Sequence, residues 1–339
     1  MRLSGIEKEI AYIANPYLDY NGSVREKNLP INFIISNKLS LLLKEKGIET
    51  EVASRDMKKL GILISELCEL KKDFDSCEVD FVVIKFSKLP EPHGDLDILV
   101  VSNVDNAERV LKQKGYFLED DSEPHRKEYV KYVNGEKCLI ELHLELSWRR
   151  VKYLEKEEIW RNRTERKIKD VNIPVPCPEH DILISAAHSI FQNNRIRLFD
   201  VLHIASTFYE NDVDLEFAKN VARRNNWLNQ FLFFIYLVNK IYKDLYGETI
   251  VRNLICDYPK WYLNRMKWHL PLHLPLHVSV LLRAEKLYLD LKNWGVRSAV
   301  NDLWAYSLDV IQISLEIAGV SSKPFFNMLR YIKKDVLRR

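Results

Sequence analysis

The chain has 339 residues, 47% hydrophobic and 29% charged, a composition that excludes a disordered chain and leaves room for two or three cores. Ten glycines and twelve prolines are few for that length and favour a helix-rich protein over an all-β one. A net charge of +3 is too small to argue for nucleic-acid binding by itself.

Residues 1 to about 75 read as a helical segment. Ile34, Ile35, Leu39, Leu42 and Leu43 recur at helical spacing across 31–43. Leu60, Leu63, Ile64 and Leu67 do the same across 57–70. Neither stretch carries a reactive constellation, so both are expected to pack a core. From Asp80 the period changes. Phe81 to Ile84 reads as an apolar strand, residues 85–94 as a proline-bearing loop, Asp95 to Val101 as a second strand, and Val104 to Lys114 as a helix closed by Gly115. Tyr129–Val133 and Lys137–Leu146 flank Asn134-Gly135, the strongest short hairpin signal. Beyond Trp148 the pattern becomes mainly helical. Pro174, Pro176 and Pro178 form a stiff connector, and Pro178 suits the first turn of the helix after it. Helices are expected near 198–208, 215–225, 228–245, 278–291, 296–318 and 324–337. The organisation is therefore an α+β core at 76–150, between an N-terminal helical segment at 1–75 and a larger C-terminal helical domain at 151–339.

The chemistry concentrates on the second strand. Side chains alternate along a strand, so Asp95 and Asp97 share one face while Leu96 and Ile98 share the other. Two carboxylates held that close repel unless a cation lies between them, and Mg²⁺ is commonly held by one or two carboxylates plus substrate phosphates. In the second hairpin strand Glu141, His143 and Glu145 share a face, opposite Ile140, Leu142 and Leu144. Asp95, Asp97 and Glu141 thus form a candidate site for Mg²⁺ or Mn²⁺. Three acids can hold two ions about 3.5–4 Å apart, clamping the attacking and leaving oxygens of a phosphoryl displacement. Lys85, Ser87 and Lys88, in the loop entering this site, are expected to bind the nucleotide phosphates, the lysines as point charges and the hydroxyl as donor. His143 is expected beside the metal or against the acceptor.

Gly94-Asp95-Leu-Asp97-Ile-Leu-Val, Gly115-Tyr116, Ile140-Glu141-Leu-His143, Pro178-Glu-His-Asp, His188 and Arg197-Leu-Phe-Asp200 together resemble the nucleotidyltransferase superfamily typified by DNA polymerase β. The likeness covers roughly residues 80–205 and is strongest to an uncharacterised bacterial and archaeal branch. It implies a small mixed-sheet nucleotidyltransferase core that moves a nucleoside monophosphate from NTP to a hydroxyl, releasing pyrophosphate. In that family the first two acids bind both metals and the third helps activate the acceptor, roles that fall here on Asp95, Asp97 and Glu141. The acceptor stays open among a small molecule, a protein hydroxyl and a tRNA end. One departure stands out. The family has Gly-Ser or Gly-Gly after the first strand, then a helix, whereas here only seven residues, two of them proline, separate Phe86-Ser87 from Asp95. Without the glycine or the helix dipole, phosphate binding has to lean on Lys85, Ser87 and Lys88. The competing expectation is a catalytically degenerate member that binds a nucleotide or a partner protein, for example in a toxin–antitoxin or defence pair.

Five scattered cysteines without a CxxC pair argue for a reducing compartment, and no apolar run approaches the roughly 20 residues of a membrane span, so a cytoplasmic protein without membrane partners is expected. His269, His273 and His277 are spaced by four, but Pro271 and Pro275 forbid a regular helix and favour an extended connector. His188 and Asp200 are expected to form a buried hydrogen-bonded pair. Arg197 and His203 loosely resemble the HEPN ribonuclease spacing, which is common by chance. From Lys323 onward, six basic residues face one acid, a charge run suited to a solvated face or a polyanion.

Overall fold

The computed structural model describes residues 3–18, 29–123, 125–148, 151–252, 269–294, 307 and 311. Four helices open the chain: α1 (Gly5–Ala14), α2 (Ile31–Ser36), α3 (Ser40–Glu45) and α4 (Glu51–Ser76). A single helix over 31–43 is corrected to two short ones, because Asn37 ends α2 and Lys38 takes a left-handed φ of 57° that no helix tolerates. In α4, Thr50 accepts a hydrogen bond from the Ala53 amide, and Leu63, Leu67, Leu70 and Phe74 line the buried stripe.

Next come β1 (Phe81–Ile84), β2 (Leu96–Val100), α5 (Val104–Gln113), β3 (Phe117–Asp120), β4 (Arg126–Val133) and β5 (Glu136–His143). These strands form one mixed sheet in the order β1-β2-β5-β4-β3, with β2 and β5 parallel and the other neighbours antiparallel. Asn134 and Gly135, both at positive φ, close the β4–β5 hairpin. This is the left-handed pair that a two-residue hairpin turn requires.

At its β1–β2 end the sheet is buried on both faces. Phe81, Val83, Leu96, Ile98, Ile140 and Leu142 pack with α4 and α5 in one core. Val82, Ile84 and Leu99, pointing the other way, join a second core built mainly from C-terminal helices. The alternation of strand side chains therefore sends Asp97, between Leu96 and Ile98, into the seam between the sheet and the helical layer.

The stretch after Trp148 is less helical than its sequence suggests. It contains β7 (Val151–Leu154), paired with β6 (Leu146–Trp148), then α6 (Lys156–Arg161) and the hairpin β8 (Thr164–Ile168) with β9 (Val171–Val175). Pro174 lies inside β9, whose Ile173 and Val175 enter the sheet-side core. The helical layer begins at α7 (Pro178–Ala187), with Pro178 at its first turn. A π-helical turn (His188–Gln192), β10 (Arg195–Ile196), α8 (Leu198–Glu210), α9 (Leu215–Arg224), α10 (Leu228–Tyr246), β11 (Leu272–His273) and α11 (Leu276–Trp294) complete it. Leu272–His273 is extended and paired with Arg195–Ile196, so the proline-spaced histidines form no helical stripe. The expected helices over 296–318 and 324–337 lie outside the described residues except Ser307 and Ile311, and the basic end from Lys323 lies outside them entirely. No helix among the described residues is long and apolar enough to cross a membrane.

Candidate active site

The parallel register sets Asp97 of β2 directly beside Glu141 of β5, with His143 two residues further along the same face. One ligand atom from each of Asp97, Glu141 and His143 lies within 4.8 Å of the others, and all three residues are buried. His143 Nε2 is 2.8 Å from Asp97 Oδ1 and 3.5 Å from Glu141 Oε2. His143, expected beside the metal or the acceptor, thus stands inside the tight cluster.

Two cations brace the acids. Lys85 donates to Asp97 Oδ1 at 2.8 Å, and Arg126 donates to Glu141 Oε1 at 2.8 Å while reaching Glu128 at 2.9 Å. Burial alone would push the Asp97 carboxyl up, but Lys85 and the His143 hydrogen bond hold it well below its ordinary range. Burial likewise opposes ionisation of Glu141, and His143 with Arg126 reverses that. For Lys85, burial disfavours the ammonium, but the facing charges of Asp97 and Glu141 raise it.

Asp95 precedes β2 and is not one of the three clustered residues. It is half-buried, and burial followed by the charges of Asp97 and Glu141 lifts its carboxyl to about 7. A carboxyl that resists ionisation beside two ionised neighbours is the electrostatic signature of a site short of positive charge.

The three residues expected on phosphates are engaged elsewhere. Lys85 is on Asp97; Ser87 Oγ is 2.8 Å from His203 Nδ1; Lys88 donates to Glu210 at 3.1 Å. The loop carrying them contains no helix, as its length requires. His188 and Asp200 do not pair. His188 bonds Gln192 and Asn193, and Asp200 accepts from the Arg197 amide at 2.7 Å as a helix cap. The reason is local: the wider π-helical turn brings the side chain four residues on back to its own histidine, and a first-turn aspartate has a free backbone donor beside it.

Arg126 escaped notice in the sequence, although a signal was there. The Asn134-Gly135 turn fixes a register in which Glu128 opposes Glu141 and Arg126 opposes His143. Like charges facing across a pair need a cation, and Arg126 supplies it. Tyr153 and His125 also border the site. Burial, with the neighbouring charges of His143 and Arg126, pushes the His125 imidazole down to about 3. Burial raises the Tyr153 phenol to about 12, which keeps it protonated. Neither strand ends nor spacing mark these two, because they reach the seam only through tertiary packing.

A family model described as an uncharacterised nucleotidyltransferase matches residues 92–243. That span takes in Asp95, Asp97, Glu141 and His143 and runs into α10. No curated protein matches the chain in sequence. Among solved structures the chain is similar to an antigenic nucleotidyltransferase-like protein from Paracoccidioides brasiliensis, at 13% identity and a TM-score of 0.38, over 57% of this chain and 96% of that one.

Proposed function

We propose that the chain, whose residues 92–243 match a family model described as an uncharacterised nucleotidyltransferase, moves a nucleoside monophosphate from NTP to a hydroxyl acceptor and releases pyrophosphate. The observation that carries this reading is the side-by-side placement of Asp97 and Glu141 on parallel strands, buried and inside the matched span.

The donor set fits a divalent cation. Carboxylates suit Mg²⁺ and Mn²⁺, an imidazole is a further ligand, and the raised Asp95 carboxyl would ionise once an ion supplied the missing charge. Asp95, Asp97 and Glu141 would hold it, with His143 alongside. When bound, such an ion neutralises charge on the triphosphate and on the departing pyrophosphate. The protein's own part is positioning. Glu141, kept ionised by His143 and Arg126, accepts the hydrogen bond of the acceptor hydroxyl and takes up its proton. The acceptor oxygen bonds to the α-phosphorus as the bond to the pyrophosphate oxygen breaks. Lys85, whose ammonium faces Asp97, is placed to move onto the phosphates as the carboxylates gain another counter-charge.

A second reading has its own support. Lys85, Arg126 and His143 already pair Asp97 and Glu141, so a member that binds a nucleotide or a partner protein without catalysis needs no ion at those two acids. Incubation of the purified chain with each α-³²P-labelled NTP, Mg²⁺ and cell extract separates the two. Transfer of label to a small molecule, protein or tRNA that is lost in Asp97→Asn supports the enzyme. Mg²⁺-dependent nucleotide binding without transfer supports the binding member, and no binding of any NTP removes the nucleotide reading altogether.

A further inference from the structure

The helical layer reaches into the phosphate loop through a line of three polar side chains. Asp181 of α7 places Oδ2 3.0 Å from His203 Nε2, and His203 of α8 places Nδ1 2.8 Å from Ser87 Oγ. The Asp181 and His203 side chains are only 11% and 10% exposed. Leu89 donates its amide to the same Ser87 oxygen at 3.0 Å. We infer that Asp181 and His203 are a positioning pair that turns the Ser87 hydroxyl outward as a hydrogen-bond donor to the terminal phosphates of the nucleotide. This rests on the nucleotide reading proposed above.

The argument is one of donors and acceptors. A carboxylate only accepts, so His203 carries a proton on Nε2 toward Asp181. Nδ1 then has two states. Unprotonated, it takes the Ser87 O–H and leaves no donor for a ligand. Protonated, it donates to Ser87, and because Leu89 already fills the other lone pair, the single O–H must point away from both.

The surroundings of His203 favour the second state. It faces Asp181 from α7, Glu91 from the β1–β2 loop and Asp200 from its own helix, while the Phe199 ring stacks on it with centroids 6.4 Å apart. Burial opposes protonation, and those three carboxylates overcome it. Arg166 of β8 acts on the pair through Asp181.

The loop is also held in place. Arg166 donates to the Phe86 carbonyl, Lys38 pairs with Glu91, and His93 stacks on Phe86 at 5.3 Å. These contacts do for this loop what a glycine and a helix dipole do elsewhere: they present a donor to phosphate in a fixed direction.

The test is calorimetric titration of the full chain with ATP and Mg²⁺ at pH 6, 7 and 8, with AMP as the probe lacking terminal phosphates. We expect ATP affinity to fall as pH rises and His203 loses its Nδ1 proton, beyond the change shown by AMP. His203→Asn supplies an N–H near the Nδ1 position that does not titrate, so its ATP affinity should stay within about threefold of the unmodified chain at pH 6 and lose the fall with pH that the unmodified chain shows beyond AMP. Ser87→Ala should bind ATP about tenfold more weakly at pH 6, again without the fall beyond AMP, and AMP as before. Circular dichroism confirms that each variant is folded. An unchanged pH profile in His203→Asn, or unchanged ATP affinity in Ser87→Ala, overturns the inference while leaving the nucleotide reading in place. Absence of ATP binding by the unmodified chain overturns both.

Discussion

The Lys85 ammonium stands 2.8 Å from Asp97 Oδ1, on a residue whose φ of 56° puts its backbone in the left-handed region as β1 ends. Few lysines adopt that conformation, and it is maintained here by contacts at both ends of the loop. Lys85 is an internal cation at the acids.

Replacing that cation exposes what it offsets. Lys85→Met leaves the Asp97 carboxylate with His143 as its nearest partner, at a loss of about 3 kcal/mol of stability in the absence of divalent ions. Mg²⁺ or Mn²⁺ should then raise the melting temperature of the variant more than that of the native chain. Differential scanning calorimetry with and without the ion reads both effects, and equal ion responses would argue against a shared site.

Removing the proposed ligands should weaken binding of the proposed ion. Asp97→Asn and Glu141→Gln are each expected to weaken Mn²⁺ binding, followed by electron paramagnetic resonance, by about tenfold or more. Glu145→Gln, exposed beyond β5, serves as the control and should leave binding unchanged.

Asp95 makes stability depend on pH in a defined direction. Its carboxyl sits at about 7 in the folded chain against an ordinary 3.8, so the folded state holds the proton more tightly than the unfolded one. Stability from this group is therefore greatest below the ordinary value and declines as pH rises toward 7, by on the order of 2 kcal/mol. Urea unfolding at pH 5 and pH 8, without divalent ions, should show that decline in the native chain and less of it in Asp95→Asn. A decline of the same size in both would assign it to other groups.

The helix α11 is anchored by a fully buried ion pair. Lys286 donates to Asp290 at 2.7 Å and to the Asn225 carbonyl at 3.3 Å, and Asn226 donates to the other Asp290 oxygen at 2.8 Å. Lys286→Met alone strands a buried carboxylate and is expected to lose about 3–5 kcal/mol. Lys286→Met with Asp290→Leu should recover much of that loss, a non-additivity that a double-mutant cycle measures by chemical denaturation.

The sequence by itself determined the local frame. The Asn134-Gly135 turn, the alternation in β2 and β5 and the apolar stripes of α4, α7, α8 and α10 are properties of short stretches, legible because strand and helix periods are local. Alternation placed Asp97 and Glu141 on faces that could meet. Only the tertiary structure decided that β2 and β5 run parallel, which makes them direct neighbours, and that Asp95 falls before the strand while His143 joins the cluster. It alone decided the partners of the loop, since Lys85, Ser87 and Lys88 meet Asp97, His203 and Glu210, residues 12, 116 and 122 positions away. It also turned part of an expected helical region into the β6–β7 and β8–β9 hairpins, where packing of Ile173 and Val175 against the sheet outweighs weak local preference. Charge compensation and burial are long-range quantities, and no window of sequence contains both members of such pairs.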